Sequence, residues 1–562
     1  MVAAIAQTFR RVSEKYLFIF FWILAGLIYL PSYRAGFFFD FHSMLEYYHQ
    51  QSFPDFINRK GIGHESLYQV TQLILFCLLS VFKTNPVPWF VLFTGLHAVN
   101  GFLVCRLFTR YFKLLNISAA QSIAFTGALI FIISPLQSEV VIWKAALHYL
   151  TGLMMILLIL QWCLSYLETQ NRKFIWRVIL LYFISTFTLE IFYLTPAFVF
   201  ILAASLKLSG RISFEAIKKC LLSIFLPLVG IWLLYLFIYY FSYGKWIAHY
   251  DFDVQKAFTL KQVITKIDKY FLHVYFMEYF WKNDWRTKAY DLMHEMPVIL
   301  ATGLLILGII SIGIFRFKNL KPFAKAVVVL FFLSLVSFVV ILPMWFNDMQ
   351  LMRNDRYYYV ASVFMFMLLS VLLFKVQTKW LRNSLIGIYV LLCITGTIMI
   401  GFKARQAAKI FHGMIHHFNW HHAPKVLLLN LPNNYEGIGI IPATDPDVFN
   451  SHLYLFGRDS VKGKVFSVSS YNVQLPWDGA HITVADSLNL KVTLNQWGSW
   501  WWFGSFGATD YENDLYEVKI TDPGHEYHLR FHQKPDTSTV ILFQQGDQWR
   551  RVDMNKIGEE QW

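Results

Sequence analysis

The chain has 562 residues, 56% of them hydrophobic and only 15% charged, with a mean hydropathy of +0.44. A soluble globular protein of this size does not need so much apolar surface, so the composition points to a polytopic membrane protein. The formal net charge of +14, from 49 basic and 35 acidic side chains, would ordinarily raise nucleic acid as a partner. Here the basic residues gather in short links between apolar runs, as orientation signals do, and nucleic-acid binding is not expected.

Arg10, Arg11 and Lys15 precede the first apolar run, and no small-residue cleavage site follows it. Residues 17–33 are therefore read as a retained first span and not as a removed signal peptide. Further spans are expected at 87–109, 119–135, 147–167, 174–190, 192–208, 218–242, 297–315, 323–343, 357–375 and 383–401, since about 20 apolar residues cross a bilayer as helix. The run from Ser66 to Phe82 is shorter and carries Gln69 and Gln72, so it is placed along the interface. The result is about eleven transmembrane helices.

Charge fixes the expected orientation. With the N-terminus inside, Arg106/Arg110/Lys113, Arg172/Lys173/Arg177, Arg316/Lys318/Lys321/Lys325 and Lys375/Lys379/Arg382 all fall on the cytoplasmic side, as the positive-inside rule requires. Counting 66–82 as a span would invert every later cluster. The same assignment puts two longer loops, 34–86 and 243–296, and the C-terminus on the outer face. The second loop has mixed charge and many aromatics and is read as amphipathic helices on the interface. The five cysteines, Cys77, Cys105, Cys163, Cys220 and Cys393, lie in apolar segments without CxxC spacing and imply no disulfide framework.

From about Lys425 the composition changes, with shorter apolar runs punctuated by Gly, Pro, Asn and Asp. Segments at 426–430, 465–468, 488–492, 516–520 and 540–543 read as strands. The expected organisation is a transmembrane domain over 1–424 followed by a mainly-β, sandwich-like extracytoplasmic domain over 425–562.

The chemistry-bearing residues collect at expected outer helix ends. Asp40 follows the first span within Gly36-Phe37-Phe38-Phe39-Asp40-Phe41-His42; Glu139 and Glu190 end later spans; Asp348, Arg353, Asp355 and Arg356 precede another. A carboxylate at the rim of a bilayer costs free energy and usually serves a cavity, substrate or partner charge. Arginine suits phosphate because its planar fork donates two parallel hydrogen bonds. Acids beside arginines at headgroup level therefore fit chemistry on a lipid-linked phosphate.

These residues sit in segments that resemble the GT-C superfamily of membrane glycosyltransferases, in particular bacterial relatives of the tetratricopeptide-containing protein O-mannosyltransferases. Residues Ser134-Pro135-Leu136-Gln137-Ser138-Glu139-Val140-Val141-Ile142-Trp143 are similar to that group's "HPLQVESVAW" motif. Phe38-Phe39-Asp40-Phe41 resembles its first-loop "F-D-D" motif, and His64-Glu65-Ser66-Leu67-Tyr68-Gln69 falls where it has "H-x-S-Y-R-P". Leu189-Glu190 with Pro196 resembles "KE…P", and Asp355-Arg356-Tyr357-Tyr358-Tyr359-Val360-Ala361-Ser362 resembles "ERYLYLPS". The order matches across residues 36–362, without the repeats.

The resemblance implies a GT-C-like fold and transfer of a sugar from a polyprenyl-phosphate donor to a protein or glycan acceptor at the outer face, with inversion. Under it Asp40 is the general base, Glu139 and Glu190 orient the sugar, the acceptor or Asp40, and Arg356 with Arg353 binds the donor phosphate. His64, Tyr68, Lys144 and Asp355 become candidate substrate contacts. The implied location is a bacterial inner membrane. Departures are visible: Phe41 replaces the second acid of the first-loop pair, Ser134 the motif histidine, Gln69 an arginine, and Tyr149 stands where relatives often carry a charge. A transporter or flippase for lipid-linked glycans, or a non-catalytic scaffold, is the rival; a transporter should carry its charges at mid-bilayer depth.

No cofactor is expected. His412, His416, His417, His421 and His422 have helical spacing, but no carboxylate or cysteine completes a metal set, and a divalent metal is the less favoured reading. The aromatic run Trp497, Trp500, Trp501, Trp502 and Phe503 is read as domain core or membrane-facing surface ahead of a sugar platform.

Overall fold

The computed structural model describes residues 14–35, 41–58, 67–188, 190–244, 246, 259–342, 355–441, 447–455, 464–473, 475–494, 500–502, 510–522 and 525–562. Asp40, His64 and Arg353, and also Asp348, lie outside the described residues.

The described chain is mostly helical, with a strand-rich C-terminal region. In chain order the helices used below are α1 (Glu14–Tyr29), α2 (Phe41–Gln50), α3 (Gln69–Phe82), α4 (Pro86–Leu114), α5 (Ala120–Ile133), α6 (Ser138–Ile142), α7 (Leu147–Thr169), α8 (Lys173–Ser185), α9 (Thr195–Leu208), α10 (Leu226–Tyr243), α11 (Leu260–Phe276), α12 (Asn283–His294), α13 (Met296–Ser311), α14 (Pro322–Val339), α15 (Tyr359–Lys375), α16 (Lys379–His416) and α17 (Asp447–Leu455). Nine helices among the described residues are long and apolar enough to cross a membrane, or ten if the bent pair α5–α6 is one span.

That number falls short of the expected eleven at α8. Its helix is 13 residues long where a crossing takes about 20, and Arg172, Lys173 and Arg177 crowd its start. The helix α3, at 14 residues, is also shorter than that length. The bend of 55° between α5 and α6 has a local cause. Ser134 is extended (φ −68°, ψ 133°) before Pro135, because the pyrrolidine ring disfavours helical geometry in the residue preceding it. The chain restarts as a short helix, and this is what carries Glu139.

One apolar core runs through the bundle, through Phe21, Trp89, Phe93, Phe131, Tyr182 and Phe364. The helices α5 and α15 approach closely at Gly127, where a Cβ would stand 2.5 Å from the Met367 methyl. By contrast Leu304, Leu305 and Phe315 on and just after α13, and Phe241 on α10, are exposed, as lipid-facing side chains are.

The strand-rich region is built on three sheets. Lys425–Leu428 pairs in parallel with both Thr539–Gln545 and Val465–Ser467. Leu431–Tyr435 pairs in parallel with Ser469–Val473. A six-stranded antiparallel sheet has Asn489–Leu494 and Glu526–Phe531 at its centre. Between the first two strands Asn430 keeps the ladder going with its side chain, donating to Gln544 O at 3.0 Å and accepting from Gln544 N at 2.7 Å.

This region does not have a core to itself. Ile400, Ala404, Phe411 and Met414 of α16 pack in the same cluster as Val426, Leu427 and Leu542, together with Tyr29, Val141 and Ile142 from the bundle. Trp549 donates its indole N–H to Met414 O at 2.9 Å, and Lys403 pairs with Glu436 at 2.6 Å. The helix α17 packs against α2, which also touches the Lys144–Ala146 segment. The strand-rich region, through α17, and the Lys144–Ala146 segment before α7 therefore meet the same first-loop helix.

Candidate functional site

Two helix starts bring distant parts of the chain together. Glu139 lies in the first turn of α6, and Arg356 in the one-turn segment Asp355–Tyr358 that leads into α15. Glu139 is 1% exposed. It accepts the Arg356 backbone N–H at 2.8 Å and, on its other oxygen, an N–H of the Arg356 guanidinium. The guanidinium also donates to the Tyr357 hydroxyl at 3.0 Å and lies over the rings of Trp143 (4.9 Å) and Tyr357 (4.5 Å). Stripping both charges of water costs several kcal/mol each, so the pair persists only because the geometry supplies charge and hydrogen bonds together.

Asp355 is bonded to His273: His273 Nε2 stands 2.8 Å from Asp355 Oδ1, and its Nδ1 stands 2.7 Å from Glu278 Oε1. Tyr290 of α12 donates to the same Glu278 oxygen at 2.8 Å, and the Tyr358 ring lies 4.6 Å from the imidazole. Burial alone would push the imidazole down, but Glu278 and Asp355 outweigh it and hold His273 up at about 10. Burial likewise opposes the charge on Glu278, and His273 with Tyr290 outweighs it, holding the carboxyl below its ordinary value. The outcome is a row of alternating charge, Glu278–His273–Asp355–Arg356–Glu139.

Glu190 stands at the other side of the site. It accepts a hydrogen bond from the Tyr68 hydroxyl. The start of α3 is tied to the turn before Glu190, with Val70 N donating to Phe187 O at 3.0 Å and Thr71 Oγ1 to Thr188 O at 2.9 Å. The Tyr68 ring stacks on His148 (5.8 Å, 26°), His148 lies 4.7 Å from Tyr149, and Tyr149 meets the edge of Tyr357 at 6.3 Å. A line of aromatic rings thus runs from Glu190 to the Arg356–Glu139 pair.

Lys144 is buried at 6% exposure. Its ammonium sits over the Phe93 ring at 4.5 Å and donates to Val141 O at 3.4 Å. Among the described residues it has no carboxylate partner.

Of the candidates named from sequence, Glu139, Arg356, Asp355, Glu190, Tyr68 and Lys144 all lie at this one end of the bundle, joined by the contacts above. Sequence reasoning missed His273 and Glu278, because the second outer loop was read as helices resting on the interface. Instead α11 buries Ile264, Ile267, Tyr270 and Val274, and Tyr270 donates to Ile341 O at 3.3 Å. The apolar spacing of those residues, every third or fourth position, was the available signal; nothing in the spacing of His273 and Glu278 announced their pairing.

The histidines after the last span are spread among other partners. His417 Nδ1 lies 2.9 Å from Asp547 O, and the His412 ring packs 5.4 Å from that of His452. Among the described residues, no group of three His, Cys, Asp or Glu side chains is placed to hold a metal ion. Of the tryptophan run, Trp500–Trp502 forms a strand antiparallel to Ser469–Tyr471; Trp497 and Phe503 lie outside the described residues. In comparison with known proteins, no family model matches the chain, and no curated protein matches it.

Proposed function

We propose that the chain is a GT-C-type membrane glycosyltransferase that moves a sugar from a polyprenyl-phosphate donor to an acceptor at the extracytoplasmic face. One observation carries the reading. Glu139 and Arg356, from two motifs 217 residues apart in sequence, form a buried pair, with the Glu190–Tyr68 contact joined to it by a line of aromatic rings.

In the proposed reaction Asp40 takes the proton of the acceptor hydroxyl or amine as the acceptor atom attacks the anomeric carbon. The bond from that carbon to the phosphate oxygen breaks, and the polyprenyl phosphate leaves with the electron pair, inverting the centre. A positioned base of this kind contributes roughly 10²–10⁴-fold. Arg356, with one edge on Glu139, and Lys144, one residue beyond Trp143, are the cations assigned to the growing charge on the leaving phosphate. Glu190, set by Tyr68, is assigned to the sugar or acceptor.

Sidedness supports an outer-face site. The opposite end of the bundle is basic: Arg106 pairs with Glu14 at 3.5 Å, and Arg110 pairs with Glu168 at 2.5 Å, near Arg172 and Lys173. By the positive-inside rule this supports a cytoplasmic N-terminus and a site at the outer face. The helix α7 starts beside Tyr68, and the turn that follows α8 returns to Tyr68 through Phe187 and Thr188. A path out along α7 and back along α8 supports α8 as a further, short crossing. In this reading the strand-rich region stands on the extracytoplasmic side of a bacterial inner membrane.

Mass spectrometry of lipid-linked sugars and of glycans, with and without the protein, tests the proposal. Accumulation of one lipid-linked sugar with loss of one linkage supports it; unchanged pools of both would remove it in favour of a flippase or scaffold.

A further inference from the structure

The second outer loop supplies two charged side chains to the site. His273 comes from α11 and Glu278 from the turn before α12. We propose that His273 and Glu278 are positioning residues: Glu278 holds His273, and His273 grips Asp355, fixing the Asp355–Arg356 turn and with it the edge of Arg356 that faces an anionic phosphate ligand. The functional half of this inference rests on the donor class proposed above.

Asp355 and Arg356 are adjacent and are tied to different elements, Asp355 to His273 Nε2 of α11 at 2.8 Å and Arg356 to Glu139 of α6. A one-turn segment held by two partners has little freedom to rotate. Glu139 alone would restrain the Arg356 end and leave the Asp355 carboxylate, 4% exposed, without the bond that offsets its burial. An imidazole can serve both acids only while both ring nitrogens carry hydrogen, so the clamp depends on the charge of His273.

The groups around His273 sustain that charge. Glu278 and, behind it, Tyr290 face it from the α12 side, and Asp355 and Tyr358 face it from the start of α15. On its own helix Lys269 is turned to the Tyr290 ring at 4.3 Å and Lys266 to Leu342 O, while Asp268 lies on the same helix. From α16, Tyr389 donates to Val274 O at 3.3 Å. Two acids against one imidazole keep the wild-type clamp closed across neutral pH; removing one acid brings its opening toward neutrality, since an unassisted histidine titrates near about 6.5.

The test uses the purified full chain with Glu278→Gln, His273→Gln, the double variant and Tyr290→Phe, the last removing a single hydroxyl where a harsher change fails to fold. Two quantities are read between about pH 6 and about pH 9: protection of the Arg356 amide against hydrogen exchange, and affinity for farnesyl phosphate against farnesol. In wild type both stay flat. In Glu278→Gln, or to a lesser degree Tyr290→Phe, amide protection and farnesyl phosphate affinity fall with rising pH by about tenfold, the scale of one hydrogen bond to a charged group, and farnesol binding does not move. The double variant loses the pH step and stays low throughout. His273→Gln is low at every pH. A Glu278→Gln variant that is flat and unweakened, or weakened equally at every pH, overturns the proposal, as does an unweakened His273→Gln. If wild type does not prefer farnesyl phosphate to farnesol, the donor assignment falls, and the clamp is judged on amide protection alone.

Discussion

Glu139 meets Arg356 twice, through the backbone N–H at 2.8 Å and through the guanidinium, so one carboxylate fixes both the turn and the side chain of its partner. Breaking a buried pair from one side leaves an unmatched charge, at a cost of about 3–5 kcal/mol. Glu139→Gln and Arg356→Met should each lower the thermal unfolding temperature in detergent. The double variant should lose less than the sum of the two, with a coupling of about 1–3 kcal/mol. Additive losses would mean that the two side chains do not act as a pair.

Tyr68→Phe removes the hydroxyl that Glu190 accepts and keeps the ring that stacks on His148. We expect a loss of about 1.5–3 kcal/mol in stability, the scale of one hydrogen bond to a charged group, together with reduced sugar transfer. Glu190→Gln should reproduce the transfer defect. A Tyr68→Phe variant with unchanged transfer would release Tyr68 from the site.

The pH dependence of stability follows from the His273–Glu278 contact. The folded-state value for His273, about 10, lies above its ordinary 6.5. Its contribution is therefore complete below about pH 6.5, declines above that, and is gone once the pH passes about 10. The folded-state value for Glu278 is lowered from 4.5, so its contribution is present above about pH 4.5 and is lost as the medium becomes more acidic than the folded value. Unfolding temperature measured against pH should drop on both flanks, and His273→Gln should flatten the alkaline flank in particular. An alkaline flank identical in His273→Gln and wild type would contradict the contact.

Removing residues 425–562 should not leave a well-behaved membrane domain. The truncation uncovers Ile400, Phe411 and Met414 of α16, which are now buried against Val426, Leu427 and Leu542. Uncovered apolar patches of this kind drive association. Size-exclusion chromatography of the truncated chain should show aggregation or loss of the folded peak. A monodisperse truncated protein would show that the two parts fold separately.

The sequence made some of this legible and hid the rest for physical reasons. The strands at Val426, Val465, Leu490, Val518 and Ile541 were readable because short β-rich runs between turn residues are a local signal. Their parallel pairing was not, since the partners of Lys425–Leu428 lie at Val465–Ser467 and Thr539–Gln545, and register across such distances leaves no local mark. Glu139, Arg356, Asp355, Glu190 and Tyr68 could be named as candidates because they lie at or near the ends of apolar runs. His273 and Glu278 escaped because their pairing exists only after α11 has packed beside Tyr358. The helix within 174–190 is shorter than the apolar run, which continues past Ser185 where the helix itself stops.

The account turns on Asp40 as the base that activates the acceptor. The direct measurement is release of polyprenyl phosphate from its sugar-linked form in proteoliposomes, comparing wild type with Asp40→Asn. We predict that Asp40→Asn slows release by roughly 10²–10⁴-fold while the donor still binds. Release at the wild-type rate from Asp40→Asn would contradict the account.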